Sequence, residues 1–215
     1  MLKVMMAAVL LSGSVARGAI IVQQTLGELD FADLATAQSA TYLTAAGNEA
    51  SPFNQIFGGD AVANGSFSWT FSYSVIAQSI GSASILMALY ETESSASGNQ
   101  IASFTLNGVD LTAALNVLHE SIPGVSSQIV HYTLNLPSPV FAQLASGTAT
   151  FSLTLQGPGL GVLGDTTFNG GGIDFSTLTI NDTANNADVP EPASIGLVAS
   201  GLLAAAFARR FASRP

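Results

Sequence analysis

From residue 66 the chain alternates small hydroxyl side chains with large apolar ones for ten positions: Ser66, Phe67, Ser68, Trp69, Thr70, Phe71, Ser72, Tyr73, Ser74, Val75. A period of two places Phe67, Trp69, Phe71, Tyr73 and Val75 on one face and the hydroxyls on the other, which predicts a half-buried antiparallel strand. The pattern recurs over 130–136, where Val130, Tyr132, Leu134 and Leu136 alternate with His131, Thr133 and Asn135. It recurs again over 149–155, where Ala149, Phe151, Leu153 and Leu155 alternate with Thr150, Ser152 and Thr154. Residues 20–24, 83–90 and 101–106 are further expected strands. In the last one, 173–180, Ile173 and Phe175 share one parity and Leu178 and Ile180 the other. A β-bulge near Ser176 would reconcile them. Two short helices are expected at 111–119 and 139–145, and residues 31–46 read as helix or loop. No internal repeat argues for a solenoid or propeller. The expected fold is all-β, an antiparallel two-sheet β-sandwich or jelly roll with one or two short helices.

Composition adds a constraint on partners. The 215 residues suit one modest domain, and a composition 48% hydrophobic and 9% charged is too apolar for a disordered chain. No apolar run is long enough for a polytopic membrane protein. All five basic residues, Lys3, Arg17, Arg209, Arg210 and Arg214, stand near the two ends, and all fourteen acids lie between them. The body therefore has no Lys or Arg to pair with a carboxylate, to displace phosphate counterions or to meet an anionic lipid surface. Nucleic-acid binding is excluded on that ground, and membrane contact is expected only through the tail. The absence of Cys excludes disulfides, thiol catalysis and thiolate metal sites.

Both ends read as addresses. Lys3, the apolar stretch 4–11 and the small residues that follow have the order of a secretory signal, with cleavage expected after Ala16 or after Gly18. This implies passage through the secretion translocon and a cut by signal peptidase; a short N-terminal core helix is the alternative. At the other end Pro190, Glu191 and Pro192 precede an apolar run over 193–208 and then Arg209, Arg210 and Arg214. At 1.5 Å per residue that run is slightly short of a hydrocarbon core of about 30 Å, a gap that snorkelling arginines can close. The terminal arginines predict a cytoplasmic C-terminus and a body outside the inner membrane.

Through these residues the last 27 or so, 189–215, resemble the PEP-CTERM sorting signal of Gram-negative bacteria. The resemblance implies recognition and removal of the tail by exosortase, an integral-membrane protease, and a cell-surface or extracellular destination, commonly in organisms that make exopolysaccharide. A permanent single-span anchor is the alternative. The expected organisation is a signal peptide over 1–18, a β-sandwich domain over 19–180, a flexible spacer over 181–188 and the sorting signal over 189–215, with its hydrophobic helix.

Candidate chemistry in the body is sparse. His119 and His131 are the two histidines, with surface positions expected for both, and no nucleophile elbow or paired-His metal spacing accompanies them. Glu91 with Glu93, and Asp165 with Asp174, are the carboxylate pairs a secreted glycosidase would need. Calcium is the better-motivated ligand: Asp165, Asn169 and Asp174, with glycine carbonyls between them, supply hard oxygens in a loop that can bend, and Asp60 is a further contributor. Glycan contact would fall on exposed aromatics, for which Tyr42, Phe53, Phe57 and Tyr90 are the candidates. The leading expectation is a non-enzymatic exported β-sandwich at the cell surface or in an extracellular matrix, contacting exopolysaccharide and needing no cofactor. A secreted hydrolase acting on polysaccharide or ester bonds, and a self-associating adhesive or structural subunit, are the alternatives.

Overall fold

The computed structural model describes residues 18–57, 66–95, 97–122, 127–160 and 169–183. These residues are mostly antiparallel β. One sheet has the spatial order β1 (Ile20–Gly27), β8 (Gly172–Asp182), β3 (Ile80–Tyr90), β6 (Ile129–Asn135). The other has the order β2 (Ser66–Ser72), β7 (Thr148–Leu155), β4 (Ile101–Leu106), β5 (Val109–Asp110). Three short helices accompany them: α1 (Ser39–Ala46), α2 (Thr112–Ser121) and α3 (Phe141–Leu144), the last continuing a 3-10 turn at Ser138–Val140.

The alternating hydroxyl pattern becomes a register. Phe67 lies opposite Leu153, Trp69 opposite Phe151 and Phe71 opposite Ala149. On the same side Phe151 stacks with Trp69 and Phe104 at 5.7 and 5.8 Å and meets Phe71 edge-on at 6.0 Å. On the other side hydroxyls pair across strands, Ser66 with Thr154 at 2.7 Å and Thr70 with Thr150 at 2.9 Å. Apolar residues of both sheets, among them Phe104, Phe151, Ile85, Met87, Tyr132 and Leu178, belong to one hydrophobic cluster.

A second cluster forms on the opposite face of the first sheet from Ala37, Tyr42, Ile56, Ala88, Tyr90, Ile129 and Phe175. The segment containing α1 covers that face, so β3 is buried on both sides from Met87 to Tyr90 and loses its alternation there. The expected bulge is present just before Ser176. Met87 faces Ser176 and Leu89 faces Ile173, so Asp174 and Phe175 share the place opposite Ala88. Ile173, Leu178 and Ile180 thus reach the main cluster while Phe175 enters the second one.

Two expectations are corrected. Strand β2 stops at Ser72, and Val75 is 74% exposed rather than on the core face. The chain leaves the β7 ladder there: the Tyr73 amide donates to Gly147 O at 2.9 Å and the Ile76 amide to Ala145 O at 3.0 Å, and Ile76 takes the buried place. Strand β8 also runs through Asn181 and Asp182, paired with Ile20 and Ile80, so these two residues are sheet rather than spacer. Among the described residues no helix is long and apolar enough to cross a membrane; the apolar run 193–208 lies outside them.

Candidate functional site

Among the described residues, a group of buried polar side chains lies where β3 leaves its sheet. Leu111, Leu115 and His119 recur at a spacing of four in the sequence, so they share the inward side of α2. Asn116 on the same helix clamps β4, accepting the Ile101 amide at 3.1 Å and donating to Ile101 O at 2.9 Å. His119 is only 2% exposed. Its Nε2 stands 2.8 Å from Thr92 Oγ1, its ring stacks on Tyr132 at 5.0 Å, and its Nδ1 is 3.7 Å from Glu120 Oε1. Burial lowers its pKa, opposed by the neighbouring Glu120 carboxylate. Asn169 donates to Thr92 O at 2.8 Å and closes the group.

The surface position expected for His119 is therefore corrected, and the reason is periodicity: Leu111 and Leu115 carry the helix's apolar stripe straight to it. Thr92 was not marked by any sequence pattern. Glu91 is buried, with a left-handed φ of +49° immediately after the strand, and burial pushes the Glu93 carboxyl up, with the Glu91 charge adding to it. A hydroxyl on an imidazole with acids nearby is a nucleophile–base arrangement in outline. With Thr92 at 4% and His119 at 2% exposure, it is closed to substrate in this structure.

His131 sits on the second cluster's side of β6. Its ring meets Phe175 edge-on at 5.2 Å, its Nε2 lies 3.2 Å from Phe31 O, and its amide donates to Asp33 Oδ1 at 2.8 Å. These contacts tie the loop before α1 to the sheet.

The four aromatics expected to be exposed are all enclosed. Tyr42 and Tyr90 stack at 4.4 Å within the second cluster, and the Tyr90 hydroxyl donates to Ala37 O at 3.1 Å. Phe57 stacks on Phe67 at 4.8 Å, and Phe53 joins the main cluster. The cause is tertiary: α1 lays Tyr42 over Tyr90 on the first sheet's outer face, while the chain that follows carries Phe53 and Phe57 into the main cluster. None offers a free face to a sugar. Phe57 and Phe67 border a shallow depression of about 270 Å³ with Ser51, Ser66 and Ser68, and a groove of about 540 Å³ lies between β1 and the chain after β2, lined by Gln23, Gln24, Ser72, Tyr73, Ser74 and other uncharged residues.

Of the expected calcium ligands, Asp165 and the further contributor Asp60 lie outside the described residues. Asn169 goes to Thr92, whereas Asp174 goes to the turn at Asp30 and Phe31. Asp174 is 1% exposed, and neither carboxylate oxygen has a hydrogen-bond partner in the structure. Burial pushes its pKa up to about 7; Asp30 and Glu49 add to this, while the amides of Phe31 and Asp30 face the carboxylate and oppose it. Among the described residues, Glu28, Asp30 and Glu49 form a group of acids close enough to share an ion. The tail residues Pro190, Glu191, Pro192, Arg209, Arg210 and Arg214 lie outside the described residues, as do 1–17.

The body is thus a mostly antiparallel β protein of two four-stranded sheets with an uncharged groove and a sealed polar cluster. Residues 188–210 match the family model of the PEP-CTERM protein-sorting motif. The chain therefore carries a PEP-CTERM sorting signal, which implies export, transient membrane anchoring and recognition by exosortase. No curated protein and no solved structure matches the chain.

Proposed function

We propose that the chain is an exported protein, cleaved by signal peptidase after translocation and by exosortase at its tail, whose body is a non-enzymatic β-sandwich serving at the cell surface or in an extracellular matrix. The observation that carries this reading is the sorting motif at residues 188–210. A single hydrophobic cluster fed by both sheets supports the sandwich. The body contacts exopolysaccharide through uncharged surface: the groove with Gln23, Gln24 and Ser72, and the hydroxyl rows of β2 and β7, offer hydrogen bonds to sugar hydroxyls without ionic groups. No cofactor is needed for this role. Intact mass spectrometry of inner membrane, outer envelope and medium, with exosortase present and deleted, tests the sorting. The expected mature species starts at Arg17 or Ala19, ends near residues 190–192 and lies outside the inner membrane. A species keeping Arg214 in the inner membrane of exosortase-positive cells would overturn the reading.

The hydrolase alternative has one observation in its favour, the Thr92 hydroxyl on His119 Nε2. Ester or glycoside turnover by the purified protein that disappears in Thr92→Val would favour it over the non-enzymatic reading.

A further inference from the structure

We propose that Glu28, Asp30 and Glu49 bind a calcium ion at the corner where β1 gives way to the loop before α1, beside the buried carboxylate of Asp174. The corner follows from the local sequence. Gly27 ends β1 at φ +77°, and a Cβ there would meet Asp174 O at 2.4 Å, so a residue without a side chain turns the chain directly against the β8 bulge. The turn stays tight, with the Asp30 amide donating to Glu28 O at 3.1 Å. Glu49, just past the end of α1, is drawn into it by the Glu28 amide, which donates to Glu49 Oε2 at 3.1 Å. The three carboxylates then present oxygens all within 4.8 Å of one another.

Like charges at that separation repel, and proteins ordinarily relieve the repulsion with Lys or Arg. Residues 19–208 contain neither. The nearby imidazole of His131 is engaged with Phe31 O. A second observation lies outside the three acids: Asp174, 99% enclosed, has neither carboxylate oxygen in a well-formed hydrogen bond, and only the Phe31 and Asp30 amides of the turn from which the cluster grows face it. A buried carboxylate is costly unless it takes up a proton or a positive charge stands near it, and above its raised pKa only the cation serves. The donors are all hard oxygens with no imidazole or thiolate, on two loops that can adjust, a set suited to calcium rather than to zinc or to the rigid octahedron of magnesium. The ion would clip the turn after β1 to the segment after α1 and so hold the cover of the second cluster in place.

The test uses the full chain, purified in detergent with a chelator and then returned to calcium chloride. Calcium at about 1 mM is expected to raise Tm by about 1 to 5 °C, the range that a Kd of about 10⁻³ to 10⁻⁴ M gives. Terbium chloride is expected to give luminescence sensitised by tyrosine excitation, since Tyr42 lies close enough to feel the charges of Asp174, Glu49 and Asp30. Both signals should fall at least tenfold in Glu28→Gln and in Asp30→Asn, whose side chains are exposed and whose loss should leave the fold intact, and should persist in Asp165→Asn. Absence of both signals would overturn the proposal, as would their survival in the first two variants, loss in Asp165→Asn, or an equal Tm rise with magnesium. None of these readouts depends on where the tail is cut, so this site and the sorting reading fail separately.

Discussion

His119 and Tyr42 have the same place in the protein, polar tips carried into apolar surroundings, and they differ in whether the tip finds a partner. His119 bonds to Thr92 and lies among Tyr132, Glu120 and, beyond Tyr132, Glu93. Its folded pKa is lowered, so the unfolded chain takes up the proton first; the neutral ring's contribution is present above about pH 6.5 and is lost as pH falls below that value. Glu93 has the opposite sign, because its raised pKa makes the fold lose stability as pH rises through its titration. Comparing His119→Gln with the parent isolates the histidine: urea unfolding between pH 7.5 and 5 should show a smaller loss of stability in the variant. The Tyr42 hydroxyl is fully buried without a hydrogen-bond partner. Tyr42→Phe should therefore be neutral or mildly stabilising in the absence of calcium, while Tyr42→Ala should cost about 3 to 5 kcal/mol by leaving a cavity, both read from chemical denaturation.

At the scale of elements, the central strand β7 shows how one alternating pattern divides its labour. Phe151 faces Trp69, Phe71 and Phe104, whereas its neighbour Thr150 meets Thr70 on the outer face. Phe151→Ala should cost about 3 to 5 kcal/mol, and Thr150→Ala less than about 1 kcal/mol, in equilibrium urea unfolding. Equal costs would mean that the outer hydroxyl face is covered in solution. The bulge in β8 matters for a different reason. By doubling Asp174 and Phe175 against Ala88 it lets one strand serve both clusters and holds Asp174 against the Gly27 turn. The parity clash of Ile173 with Leu178 announced the bulge; its consequence for Asp174 depended on a turn 147 residues away in the chain.

For the whole molecule the decisive fact is that the body carries all the acids while every Lys and Arg stands near the ends of the chain. Among the described residues the opposite-charge contact is His119 with Glu120 at 3.7 Å, and it exists only when the imidazole is protonated. Added sodium chloride should therefore screen repulsion among carboxylates with almost no ion pairs to weaken, and Tm should rise with salt at neutral pH. A fall in Tm would mean that attractive charge contacts dominate. The sequence by itself determined the place of seven of the eight strands, the bulge, the acidic body and the sorting tail, because alternation, parity, composition and a linear motif are local properties that any stretch of chain carries with it. Only the tertiary structure decided that Tyr42, Phe53, Phe57 and Tyr90 are inside, that His119 is buried against Thr92, and that Glu28, Asp30, Glu49 and Asp174 meet at one corner. Those outcomes depend on which face of a sheet a distant loop covers, and a side chain's own neighbours in sequence hold no record of it.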